Sequence, residues 1–432
     1  MAASAAVIGS LLLTVGCSSS SSSSSSSTST NSSGGVNAST ATSLSAFGSM
    51  NALVAAAQKE GVLNFITLPA NWANYGTIMK DFTAKYGIKI NDANPDGSSQ
   101  DELNAVNQLK GQSRAPDVLD VGTAFAVKGD QQGILAPYQV ATWSNIPSDA
   151  KASDGTYYAD YGGYVAIGYN SAKVKTPPTS FADLLKPIYK NQVAINGNPT
   201  QASAAFSAVF ASALANGGSL NNISPGIAYF KKLHSMGNFV PVAGSAATMD
   251  SGQTPILIWW DYLLASEVGP GVPGLKIVIP SDASYGAYYD QAISKSAPHP
   301  AAARLWEEYL YSTVGQNLWL QGKARPSSRA DPLPAKGRPR SDRLPAPAVV
   351  VLALDRLAVS GDPGDPVVAV TAELAGLVAR SLVAQRITAG WGSLSRCRCP
   401  RGRRCLRDMR SLSGTGRMSW VGCPGGRGRR RG

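Results

Sequence analysis

The residues best equipped for chemistry in this chain are carboxylates that stand beside aromatic rings. Asp261 and Tyr262 follow two tryptophans, Tyr288 precedes Asp290 by two positions, and Asp160 is followed by Tyr161. Trp72 and Tyr75 add two rings just after the first strongly apolar run. An aromatic face attracts a cation through its quadrupole and a carboxylate pairs with it directly, so the combination suits a small organic cation. Part of this aromatic set is expected in the core instead, because rings at strand ends are buried as readily as they are presented. Polar loops add candidates: Ser98, whose neighbouring free N–H groups could receive an anion, and Asn198 and Thr200 ahead of a second helical stretch. Ser99 with Glu102 spells a Ser-x-x-Glu capping box.

Other chemistries are poorly served. The only two histidines, His234 and His299, lack partners at metal-ligand spacing, and neither a metal nor a cofactor is expected. GPGVPG at residues 269–274 has the letters of a dinucleotide loop, but Pro270 and Pro273 remove N–H donors and a strand pattern follows. No Gly-x-Ser-x-Gly elbow occurs. The rival from another class is a secreted hydrolase working through a carboxylate pair in a cleft.

Alternating elements must position these groups. Residues 62–67, 88–91 and 117–122 read as strands. Between the first two, Trp72, Tyr75, Ile78, Met79, Phe82 and Tyr86 fall on one helical face that closes at Gly87, and DELNAVNQLKG is a second helix. That alternation predicts an α/β fold with a parallel sheet covered by helices. A strand at 163–172, helices over 202–215 and from Pro225, the strands PILIWW and LKIVIP, and a long amphipathic helix region from His299 complete the body. In such sheets the ligand gathers at the carboxyl ends of strands, where most of the candidates lie.

The order PDVLDVG, GILAPY, YYADYGGYVAIGYNS, TSFADLL and HPAAARLWEEYLYSTVGQNLWL resembles the extracellular solute-binding proteins of ABC importers over residues 50–325. The likeness is to the branch of ferric-ion, polyamine, thiamine and phosphonate binders. It implies a two-lobed, type II periplasmic-binding-protein-like fold with a hinge: lobe 1 from residues 48–164 and 283–322, lobe 2 from 165–282. It also implies a monomer that is not an enzyme, captures a small ligand by lobe closure and delivers it to the permease subunits. On this resemblance Asp160 and Tyr161 precede the crossing to the second lobe. Asp261 and Tyr262 stand where ferric-ion binders carry twin tyrosines, and Tyr288 and Asp290 match a spacing of spermidine/putrescine binders. A cation such as a polyamine is favoured, with ferric ion, thiamine and phosphonate as alternatives.

The ends of the chain differ from the body. Residues 1–17 resemble a lipoprotein signal with Cys17 as the lipidated residue, and the Ser-rich stretch to residue 47 reads as a tether on the outer face of the cell membrane. The net charge of +12 lies at the other end: residues 1–322 hold 17 Lys and Arg against 20 Asp and Glu, whereas residues 323–432 hold 22 against 7. Lysine gives way to arginine there, and four of the five cysteines lie there too, three of them in RCRCPRGRRC. The Cys-x-Cys-x5-Cys spacing lacks zinc knuckles, and a secreted protein has little use for a nucleic-acid arm. A reading-frame shift near codon 323 accounts for all these changes, and the last 110 or so residues are expected to be disordered.

Overall fold

In the computed structural model, residues 36–328 are described. Cys17, most of the Ser-rich stretch and nearly all of the Arg-rich tail therefore lie outside the described residues. In chain order the strands are β1 Val62–Phe65, β2 Lys89–Asp92, β3 Val118–Gly122, β4 Leu135–Ala136, β5 Tyr158–Asn170 and β6 Val193–Ile195. They continue with β7 Phe239–Ala243, β8 Ile256–Trp260, β9 Leu275–Val278, β10 Gly286–Ser294 and β11 Arg325–Pro326.

The architecture turns on β5, thirteen residues long and buried almost throughout. Its first half pairs antiparallel with β10, which also pairs with β3 and β4. Its second half pairs antiparallel with β8 and β9; β6 pairs in parallel with β8, and β7 in parallel with β6. One strand thus belongs to both lobes, and helices cover the sheet as in other α/β folds. The expected parallel arrangement is realised only in part. β1 and β2 are parallel, but β3 finds its ladder on β10 and meets β1 through the bond from Asp117 N–H to Asn64 O. Among the described residues no helix is long and apolar enough to cross a membrane.

Three local differences from the sequence expectation matter for the site. The first helix after β1 is Tyr75–Tyr86, because Ala73 and Asn74 take left-handed backbone (φ 46° and 73°) that interrupts any earlier start. Trp72 is left in the preceding turn, off the helical face. The helix Ser99–Gln108 is capped by Ser98 with Asp101, not by Ser99 with Glu102. The expected long helix is divided at Ser312, which caps Thr313–Gln321 through Gly315 N–H. Its first part, Pro300–Leu310, is amphipathic as expected yet buried on every side, with buried Arg304 donating to the carbonyls of Ala41, Pro300 and Ser39.

The change in composition at residue 323 does not coincide with the end of packing. β11 pairs with Gly162 and Tyr161 of β5, Ser327 N–H donates to Asp160 O at 2.8 Å, and Ser327 Oγ donates to Ala159 O. Ser328 N–H reaches Gln316 Oε1. Residues 323–328 are thus part of the folded body.

Candidate functional site

Alternation along β10 sends Tyr289 and Gln291 to one face and Asp290 to the other. The register shift opposite Tyr289 lies on β5, where Gly162 to Ala159 spans three steps against two on β10. Gln291 Nε2 donates to Asp160 Oδ2 at 2.8 Å and to Tyr75 Oη at 2.9 Å, and lies 3.3 Å from Asp120 Oδ1. Tyr161 Oη donates to Asp120 Oδ2 at 2.7 Å and accepts from Trp72 Nε1 at 2.7 Å. A continuous chain of polar contacts therefore runs from half-buried Trp72 to fully buried Asp160. Burial pushes both carboxyls upward. Hydrogen bonds from Tyr161, Tyr75 and Gln291 oppose this at Asp120, while repulsion from Asp120 adds to it at Asp160.

Around this chain stands a wall of rings from both lobes. Trp72 meets Trp259 edge-on at 5.7 Å and Tyr289 at 5.6 Å. Tyr161 stacks on Tyr289 at 5.6 Å and on Trp319 at 4.3 Å, and Tyr262 meets Tyr161 edge-on at 5.9 Å. The buried Tyr262 Oη and Trp259 Nε1 have no hydrogen-bond partner, so the wall keeps polar edges to offer. The lobes also meet beside it, where Gln100 N–H donates to Gln201 O at 3.2 Å. Gly122 packs there against Ser203 so closely that a Cβ would overlap the serine side chain.

Further carboxylates are Asp92, the last residue of β2, with Glu102 of the Ser98-capped helix near it, and Glu267 in the π-turn Leu264–Val268 near Asn71. Glu102 Oε2 accepts from Asp120 N–H at 2.8 Å, whereas Asp92 Oδ1 and Glu267 Oε2 are buried without a donor. Burial is the main cause that lifts Asp92 to about 6 and Glu267 to about 7, and it holds Glu102 well above the usual carboxylate range. The ion pairs among the described residues are Lys186–Asp183, His299–Asp117 and Arg325–Asp261. None of them neutralises Asp92, Glu102, Asp120, Asp160 or Glu267.

Trp72, Tyr75, Asp160, Tyr161 and Tyr262 are thus brought together. The other expected residues are engaged elsewhere. The side chain of Ser98 caps its helix through Asp101. Asn198 Oδ1 accepts from the N–H and Oγ1 of Thr200, both at 2.9 Å, closing a local turn. Asp261 is not a free carboxylate. Its Oδ1 accepts from Tyr164 N–H and Tyr262 N–H at 3.0 and 2.9 Å, and Oδ2 lies 2.8 Å from Arg325 Nη1. Tyr288 lies near Tyr164 and Arg325, and Asp290 packs against Thr123 on the opposite face of β10, its carboxyl pushed up to about 8 chiefly by burial. Sequence reasoning missed Asp120, Gln291 and Arg325. An aspartate in the middle of the apolar run DVLDVG was the one available signal.

Residues 113–343 match the family model described as bacterial extracellular solute-binding protein. The chain belongs to that family. No curated protein matches it. Among solved structures, the periplasmic binding protein P5PA is similar at a TM-score of 0.56 and 18% identity, covering 76% of this chain and 99% of that one. AfuA from Actinobacillus pleuropneumoniae, with fructose-6-phosphate bound, gives 0.52 and 21% over 62% and 84%. Iron-bound HitA from Pseudomonas aeruginosa gives 0.51 and 17% over 74% and 98%. At these identities the likeness is one of fold. A solute-binding protein of this family is the substrate-binding component of an ABC importer, working outside the cytoplasm with permease subunits and a small ligand. Catalysis is not the family's business, and the hydrolase alternative has no support.

Proposed function

We propose that this solute-binding protein captures a small organic cation between its lobes. The observation that carries the reading is the set of buried Glu102, Asp120 and Asp160 and half-buried Asp92 and Glu267, none paired with a cation among the described residues, together with the rings of Trp72, Trp259 and Tyr289. An ammonium group on such rings gains cation–π attraction, and any carboxylate it meets loses its repulsion. Asp261 is left out of the ligand set because Arg325 already neutralises it.

Thermal-shift and calorimetric titration of the chain against putrescine, spermidine, thiamine, ferric citrate and fructose-6-phosphate tests this reading. Saturable binding of an amine is expected. Tight binding of ferric ion or the sugar phosphate without any amine response overturns it. The N-terminus supports a lipid anchor at Cys17 that holds the protein as a monomer near its permease. Incorporation of labelled palmitate that disappears in Cys17→Ala is the expected result.

A further inference from the structure

We propose that Arg325 is a positioning residue for capture, which sets how far the two lobes close by gripping the turn that carries Tyr262 and Glu267. The residue is anchored on the first lobe: β11 pairs with Tyr161 and Gly162, and the following serines bond to Asp160 O and Gln316 Oε1. Its guanidinium leaves that anchor, lies 5.0 Å from the centroid of the Tyr164 ring and reaches Asp261 Oδ2 at 2.8 Å. Asp261 opens the turn that follows β8 in the second lobe and holds Tyr164 N–H of β5 with its other oxygen. Lys323 adds a second hold on the same turn, donating from Nζ to Ala265 O at 2.7 Å.

Gly163 makes this junction possible, since a Cβ there would overlap the Asp261 carboxylate and the Tyr262 ring. Besides the covalent crossings through β5 and β10, the lobes are therefore tied by a cation on one and a carboxylate on the other. Both partners are partly exposed, at 26% and 15% for their side chains. Both groups keep exposed atoms through which salt can screen the tie, although the bridging Nη1 is itself buried, whereas the network around Gln291 is buried throughout its carboxyls.

The test needs no ligand. In the full chain with its five native cysteines changed to serine, Lys110→Cys and Lys232→Cys place a dye pair on exposed positions of the first and second lobe. Single-molecule energy transfer then reports the interlobe distance. Arg325→Ala is expected to lengthen and broaden that distance, and Arg325→Lys to restore most of it. Raising salt from about 0.05 to 0.5 M should broaden the unsubstituted protein but not Arg325→Ala. An Arg325→Ala distribution identical to that of the parent, with only a lower melting temperature, makes the residue merely structural and overturns the proposal. Should Arg325→Ala not fold, Arg325→Lys and the salt series decide: a parent distance unmoved by salt overturns it equally.

Discussion

Asp160 and Asp261 both serve the crossing strand β5, yet they are held in opposite ways. Asp261 sits at the surface of the junction, facing a guanidinium at 2.8 Å and capping two backbone N–H groups. Asp160 is fully buried, bonded to a carboxamide and to the N–H of Tyr161, with a second carboxyl nearby. One is tied to a cation, and the other has its carboxyl pushed upward by burial and by the neighbouring Asp120. Residue type alone does not assign a role to an acidic side chain; what faces it does.

The contrast can be broken by substitution. Asp261→Ala strands Arg325 and two backbone donors, and should cost about 3 kcal/mol of stability, a fall of roughly 6–12 °C in melting temperature. On the buried side, Trp72→Ala removes a ring and the donor to Tyr161, and should weaken binding of the responding amine about 30-fold by calorimetry.

Proton linkage sharpens the comparison. Asp92 and Glu267 have raised values of about 6 and 7, so their protonated forms favour the folded, ligand-free protein at low pH. That contribution is complete below the ordinary carboxylate range and is lost as pH rises through 6 to 7. The ligand-free melting temperature should therefore fall between pH 5 and 8. A cation prefers the ionised carboxylates, so its affinity should rise over the same interval, about tenfold, with protons released on binding. A flat affinity profile sinks the charge-pairing idea while leaving the fold untouched.

Two small effects complete the series. Ser98→Ala should lose about 1 kcal/mol of cap energy in denaturant unfolding and leave ligand affinity unchanged. Asp160→Asn leaves one acceptor oxygen where two now receive Tyr161 N–H and Gln291 Nε2, and should lower stability by about 1 kcal/mol in the same assay.

Much of the scaffold was legible in the sequence, because β1, β3, β5 and β8 are apolar runs bounded by turn residues and most of the helices show their periodicity. The site was legible in part, and each miss has a local cause. β10 runs regularly against β3, but spacing alone does not say which of its two faces meets the network; Tyr289 and Gln291 take that face and Asp290 the other. Asp120 was hidden because a strand buried on both faces shows no alternation from which to read its direction. The capping box slipped by one residue, since aspartate at the third helical position serves as well as glutamate. Arg325 was set aside with the Arg-rich tail by composition, although its backbone completes the edge of β5.

The double membership of β5 has a thermodynamic consequence. Residues 158–164 are held by β10 and residues 165–170 by β8 and β9, so neither lobe possesses a complete sheet of its own. Melting either half strips the other of its central strand. The two lobes that must move as separate bodies during capture should therefore unfold as a single cooperative unit, with calorimetric and van 't Hoff enthalpies in agreement.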